Sequence, residues 1–372
     1  MKEPLRVLQI VTQMNRGGLE NFVMNVFRKI NRSKIQFDFL CHRMNKGDFD
    51  DEIISLGGRI YRINPLSMRN LTGYYRSLDK FFSEHKDYRI VHSHINAMST
   101  PVLRSAFRNQ ISVRIAHSHT SSSKPDLKLP VRTILKLFIK RYATNYFACS
   151  QKASEWLFGK KAQSKAQIRI IHNAVDVNLY SYNSVTRQRL RADLSLQNKF
   201  IVGHVGNFIY PKNHSFLVDI FEKIIKLNPD AYMVLVGEGN MQKSIVEKCI
   251  KMNLSDKVLF TGKVPNVNEY LQAFDVFVFP SFFEGLPLTV VEAQAAALPC
   301  FVSDAISDEV QITGLVHMLS LSQGAEVWAN SILEGHNGHE RKDVSEEILE
   351  KGYDSVIVAK ELEDFYLSSA GV

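Results

Sequence analysis

Pro280-Ser-Phe-Phe-Glu-Gly-Leu-Pro-Leu-Thr-Val-Val-Glu-Ala-Gln-Ala-Ala-Ala-Leu-Pro299 is the stretch on which the reading of this chain turns. Just before it, Val276–Pro280 is apolar on successive residues, the pattern of a strand covered on both faces of a parallel sheet. Glu284 and Gly285 follow in a short loop. Pro287 suits the first position of a helix, where its fixed φ is pre-organised and its missing N–H costs nothing. Strand, loop and helix are therefore expected in direct succession. Gly285 lets a ligand approach the backbone, and open amides over 285–288, including Leu286 and Leu288, stand at the positive end of the helix. Together they form a seat for a diphosphate.

The same alternation extends outward in both directions. Upstream strands are expected at Val7–Val11, Phe37–Leu40, Ile90–His92, Val113–Ala116, Tyr146–Cys149 and Ile168–Ile171, then at Ile201–Val205, Tyr232–Val236 and Val258–Thr261; Pro299–Val302 follows downstream. Leu19, Phe22, Val23, Val26, Phe27 and Ile30 share one face at helical period, and 214–227, 240–252 and 287–297 read as helices too. Strands alternating with helices imply doubly wound α/β sheets, which place ligands at the carboxyl ends of their strands. The polar stretch 183–198 has no strand signal and marks a junction. The expected organisation is a first domain over 1–185, a second over 186–350, and a closing helix over 351–372.

A chain of 372 residues with 45% apolar and 23% charged residues can bury two cores of ~150–200 residues each. No stretch approaches the ~18 apolar residues of a membrane span. The N-terminus has no signal-peptide pattern. Cys41, Cys149, Cys249 and Cys300 are far apart in apolar surroundings, which fits neither zinc nor a disulfide framework and suits a reducing cytoplasm. Charge is split by position: residues 1–199 hold 34 Lys+Arg against 14 Asp+Glu, and residues 200–372 hold 12 against 24. The first half is therefore expected to face something anionic. Nucleic acid is disfavoured, because no recognition motif accompanies the charge.

Glu292 lies about one and a half turns into the expected helix, within reach of a ribose diol beyond the phosphates. Glu284 stands at the loop tip, beside the place a transferred sugar would occupy. This arrangement resembles the E-x7-E signature of the retaining glycosyltransferases of family 4, which have the GT-B fold: two Rossmann-like domains facing across a cleft. Glu284, Glu292 and the intervening Gly-Leu-Pro-Leu hold the motif positions, and the resemblance runs over about residues 5–300. It is closest to the exopolysaccharide and capsule branch. It implies transfer of a hexose-type sugar, with retention, from a UDP-sugar to a glycan acceptor carried on a lipid.

Other segments take their expected roles from the same resemblance. Met14-Asn-Arg-Gly-Gly-Leu-Glu20 places Gly17 and Gly18 beside the donor phosphates; it lacks the G-x-G-x-x-G of nicotinamide enzymes. Val205-Gly-Asn-Phe-Ile-Tyr-Pro-Lys-Asn-His214 is similar to the family's phosphate-binding segment, with Lys212 neutralising the leaving diphosphate. Asn207 stands where the family has arginine, a departure that implies weaker donor binding or a charge borrowed from Arg16 or another cation. His117 matches the histidine that orients the sugar at the anomeric carbon, with His94 and His119 on the acceptor side and His92 nearby. Gly237 in Gly-Glu-Gly239, with Lys263 and Val264, is expected around the base and ribose, and the closing helix is expected to cross back onto the first domain. Lys212, Glu284 and His117 are thus the expected catalytic groups.

The two His-x-His pairs invite a metal reading, but no cysteine or carboxylate joins them and family enzymes work without a metal, so neither metal nor cofactor is expected. Pro130–Tyr142 is read as an amphipathic helix, with Val131, Ile134, Leu135, Phe138, Ile139 and Tyr142 forming an apolar stripe. Arg132, Lys136 and Lys140 lie on a basic face that Lys128 extends, suited to the anionic inner leaflet of the plasma membrane. The alternative is a non-catalytic, nucleotide-sugar-binding paralogue, resting on Asn207 and on the departure from the family pattern after residue 303.

Overall fold

The computed structural model describes residues 3–67, 70–120, 129–160 and 168–371. These form two compact units. The first holds β1 (Leu5–Val11), β2 (Ile35–Cys41), β3 (Ile60–Arg62), β4 (Ile90–Ser93), β5 (Val113–Ser118), β6 (Asn145–Ala148) and β7 (Ile168–Ile170). They pair in the order β3-β2-β1-β4-β5-β6-β7, and every pairing is parallel. The second holds β8 (Phe200–Val205), β9 (Ala231–Val236), β10 (Val258–Gly262), β11 (Val276–Phe279), β12 (Cys300–Ser303) and β13 (Val316–Leu319). Its order is β10-β9-β8-β11-β12-β13, again all parallel. Strand order reverses between β1 and β4 and between β8 and β11, the switch points where doubly wound sheets bind ligands.

The central strands were readable because both faces are covered: β2, β8, β11 and β12 are buried along their whole length. β3 and β13 were not expected. Both lie at sheet edges and are only partly buried, so they lack the continuous apolar run. Helices Gly18–Lys29, His214–Leu227 and Gln242–Lys251 lie where the periodicity puts them.

The domain bounds differ from expectation. The first unit ends at Ala174, not 185, and includes the closing helix Ser355–Ala370, while the second spans Val175–Asp354. Residues 175–193 belong to the second unit because polar groups bind them there. Arg187 and Arg191 both pair with Asp275, and the Gln272 amide donates to Tyr180 O at 3.0 Å and accepts from Asn183 N at 2.9 Å. The polar stretch without a strand signal contains the helix Ser184–Asp193, of which only Leu190 is buried. In the closing helix, Val358, Ala359, Leu362, Phe365 and Tyr366 join the core of the first unit. Phe365 meets Phe147 edge-on at 4.9 Å, and Tyr366 meets Phe37 likewise at 6.0 Å.

Candidate active site

In the second unit, the loops after β8 and β11 meet at the switch point. Phe282 N donates to Pro211 O at 2.8 Å, and the rings of Tyr210 and Phe282 stack at 4.9 Å. This clasp brings Lys212 Nζ to 2.8 Å from Glu284 Oε1. The ammonium also lies 4.4 Å from the centroid of the Phe279 ring, a cation–π contact. The loop after β9 closes in from the other side. Gly237 has φ +140°, and a Cβ there would stand 2.2 Å from Gly206 O, so only glycine fits. Gly237 N in turn donates to Gly262 O at 2.9 Å, next to Lys263 and Val264. Lys263 is exposed and Val264 half-buried. Asn207 is exposed, and its side chain has no hydrogen-bond partner among the described residues.

Gly285, Leu286 and Leu288 are buried. Pro287 is not the first helical residue as expected but the N-cap, with ψ 110°; the helix is Leu288–Ala295. Proline's fixed φ serves either position, and in the first turn Val290 N donates to Pro287 O at 3.1 Å. Glu292 is 2% exposed, and its Oε1 accepts from Tyr180 Oη at 3.0 Å. Burial pushes its pKa up to about 7, against which the Tyr180 hydrogen bond works. Tyr180 was missed because it lies 112 residues away in sequence, just ahead of the segment taken for the junction.

In the first unit, Gly17 has extended backbone with φ −136° and precedes the helix Gly18–Lys29. A Cβ on Gly18 would meet nothing within 4 Å, so the fold itself does not require glycine there. Glu20, in that helix's first turn, has its pKa raised to about 7 by desolvation. The four histidines come together in two bonded pairs. His117 lies inside β5, which runs two residues past the expected strand end. His92 Nε2 is 3.0 Å from His117 Nδ1, and His94 Nδ1 is 2.9 Å from His119 Nε2. Each pair is anchored: Tyr366 Oη lies 2.6 Å from His92 Nδ1, and Gln9 Oε1 lies 2.8 Å from His94 Nε2. Desolvation holds His92, His94 and His117 well below the usual imidazole range and His119 at about 3. The cluster is therefore neutral at physiological pH.

Ligand atoms of His92, His94 and His117 lie within 4.8 Å of one another, close enough for a metal ion. Both ring nitrogens of His92 and of His94 are engaged in the bonds above, so a metal would have to break them. His117 Nε2 is buried without a partner among the described residues.

The helix expected at Pro130–Tyr142 runs Leu129–Tyr142, but its faces are arranged differently. Ile139 is buried, and Leu135 and Tyr142 pack on the core. Ile134, Leu137 and Phe138 are 55%, 76% and 46% exposed. Lys136 is not on a free basic face: its ammonium lies 4.2 Å from the centroid of the Trp156 ring. Lys128 lies outside the described residues.

Two parallel doubly wound sheets, with a lysine–glutamate pair at one switch point and a glutamate on the following helix, define a GT-B glycosyltransferase. Comparison with known proteins agrees. Residues 16–179 match the family described as Glycosyltransferase Family 4, and residues 186–315 match Glycosyl transferases group 1. EpsF of Bacillus subtilis (strain 168), assigned to the glycosyltransferases, is 34% identical over 357 residues, 94% of this chain and 93% of EpsF. The capsular polysaccharide biosynthesis glycosyltransferase CapH of Staphylococcus aureus is 28% identical over 297 residues, 78% of each chain. Among solved structures, Anabaena HepE in complex with UDP and glucose superposes with a TM-score of 0.81 at 18% identity, covering 98% of this chain and 100% of HepE. This chain belongs to glycosyltransferase family 4, in the exopolysaccharide and capsule branch. A non-catalytic paralogue is the disfavoured reading.

Proposed function

We propose that the chain moves a hexose from a UDP-sugar to a lipid-linked glycan, with retention and without a metal. The observation that carries this reading is the Lys212–Glu284 pair at the β8/β11 switch point. Breaking the anomeric C–O bond puts negative charge on the departing diphosphate. Lys212, exchanging Glu284 for phosphate, and the amides at the start of Leu288–Ala295 stabilise that charge as it develops. Glu292, as a carboxylate, accepts from the ribose hydroxyls. Glu284, relieved of Lys212, orients the sugar so that the acceptor oxygen attacks the face the phosphate leaves and passes its proton to the departing diphosphate; His117, in the first unit, keeps the sugar-orienting role the family resemblance implies. A UDP donor is supported by the UDP and glucose bound to HepE, a protein of the same fold.

The protein incubated with UDP-glucose, UDP-galactose and UDP-N-acetylglucosamine, together with lipid-diphosphate glycan acceptors, should give a glycosylated product by mass spectrometry. Its new linkage should have the donor's anomeric configuration by NMR. Activity should persist in excess EDTA. An inverted product overturns retention, and activity lost to chelation and restored by Mn²⁺ overturns metal independence.

A lipid-linked acceptor also implies a seat on the membrane. No helix among the described residues is long and apolar enough to cross one. The exposed Ile134, Leu137 and Phe138, with exposed Lys140 and Arg141 on the same helix, support peripheral docking on an anionic leaflet.

A further inference from the structure

Tyr366 is a buried phenol on the closing helix, 274 residues from the histidine it touches. Its ring packs against Phe37, but packing does not explain its hydroxyl. A fully buried hydroxyl must place its proton on an acceptor. Tyr366 Oη lies 2.6 Å from His92 Nδ1, and its other polar neighbour, the Gln9 side chain, acts on the phenol as a donor, working against the desolvation that raises its pKa, so the acceptor for the phenol proton is His92 Nδ1. Tyr366 therefore donates.

That single assignment orders the protons beyond it. With Nδ1 accepting, neutral His92 carries its proton on Nε2. Nε2–H then donates to His117 Nδ1, 3.0 Å away. With its own Nδ1 accepting, neutral His117 has its proton on Nε2, the buried nitrogen that has no partner among the described residues. The rings of His92 and His117 lie parallel, 8° apart, and Phe22 abuts His117 edge-on at 5.7 Å, so neither imidazole is free to turn. The neighbouring pair is ordered in the same way. Gln9 Oε1 accepts from His94 Nε2, which leaves His94 Nδ1 to accept from His119 Nε2.

We propose that Tyr366 is a positioning residue that, through His92, fixes His117 as the Nε2–H tautomer, so that His117 presents a hydrogen-bond donor to an oxygen of the transferred sugar. This rests on the sugar-orienting role given to His117 above. The wrong tautomer would present a lone pair, which can hold a hydroxyl only as acceptor and cannot donate to a ring or carbonyl oxygen. The relay involves no change of charge, in keeping with the neutral imidazoles.

The test begins with the ring nitrogens of ¹⁵N-histidine-labelled protein, observed by long-range ¹H–¹⁵N correlation and assigned with His92→Gln and His117→Ala. His117 should be protonated on Nε2 in the parent and distributed over both nitrogens in Tyr366→Phe. With UDP-glucose hydrolysis as the probe reaction, Tyr366→Phe should lower kcat about tenfold, the low end of the loss when the outer partner of a metal-bound histidine is removed. KM should stay within about twofold.

His92→Gln supplies an amide donor that needs no tautomer set for it, so adding Tyr366→Phe to that variant should change kcat no further. A purely structural tyrosine would lower both backgrounds alike. An Nδ1-protonated His117 in the parent overturns the proposal, as does a Tyr366→Phe variant with the parent's tautomer and kcat. The parent spectrum alone decides the tautomer if the variant does not fold or UDP-glucose is not turned over. A shifted tautomer with kcat unchanged in both Tyr366→Phe and His117→Ala upholds the relay and removes the role of His117.

Discussion

Lys212 Nζ lies 2.8 Å from Glu284 Oε1, so the lysine expected to meet the donor diphosphate is held by the first glutamate of the E-x7-E pair. The side chains are only 15% and 20% exposed, which shields the pair from solvent more than an open surface pair. Phosphate must compete with Glu284 for the ammonium. Glu284→Ala should therefore tighten UDP about three- to fivefold, corresponding to ~0.7–1 kcal/mol for a modest ion pair, while lowering turnover of the UDP-sugar. Calorimetric titration with UDP reads the first effect. Weaker UDP binding would mean that Glu284 contacts the nucleotide and is no competitor.

Glu292 should make donor binding depend on pH near neutrality. Its folded pKa of about 7 stands above the ordinary 4.5, so the native state holds a proton that the unfolded chain gives up between those values. The stability this contributes is complete below about 4.5 and is lost as pH rises through about 7. Binding runs the other way, since only the carboxylate accepts from both ribose hydroxyls. UDP affinity should rise from pH 6 to pH 8 in the parent and stay nearly level in Glu292→Gln. The same variant should lose less thermal stability than the parent over that interval. Parallel pH profiles for the two proteins would remove Glu292 from the ribose.

Asn207 is exposed and uncommitted, so arginine there should cost the fold little. If the loop after β8 seats the diphosphate, Asn207→Arg adds a bidentate, charge-assisted donor of about 1.5–3 kcal/mol and should tighten UDP at least tenfold. Unchanged affinity would show that this loop points its side chains elsewhere.

Much of this was legible in the chain, for a physical reason. Strands covered on both faces are apolar at most positions, so β1, β8 and β11 announce themselves despite Gln9 and His204, whereas β3 and β13 carry Arg62 and His317 at sheet edges and do not. The Pro280–Pro299 segment located the meeting of Glu284 with a helix start because loop and helix residues there are local. Long-range polar pairing leaves no such trace. Nothing near Glu292 points to Tyr180, and nothing near His92 points to Tyr366. The unit boundary was misplaced for the same cause, since Asp275 holds Arg187 and Arg191 from more than 80 residues away. Amphipathic period located the helix Leu129–Tyr142 but assigned the wrong apolar residues to its outer face, because Ile139 and Leu135 are taken by the core.

That rearranged helix sharpens what membrane docking requires. The exposed ridge is Ile134, Leu137 and Phe138, whereas Lys136 is occupied above Trp156. Changing the three ridge residues to Gln removes no core contact, so the fold should persist, yet each loses about 1.5–3 kcal/mol of attainable burial. Lys140 and Arg141, exposed on the same helix, should add about 1 kcal/mol each near an anionic surface at low salt. Co-sedimentation with vesicles of phosphatidylglycerol and phosphatidylcholine reads both contributions. The ridge variant should stay in the supernatant at all salt concentrations. Lys140→Gln with Arg141→Gln should weaken pelleting mainly at low salt, and Lys136→Gln should leave it unchanged. If the ridge variant pellets like the parent, the apolar face does not enter the bilayer. If Lys136→Gln is as damaging as the Lys140/Arg141 pair, the lysine leaves Trp156 for the lipid, and the basic face first expected from the sequence is the one that docks.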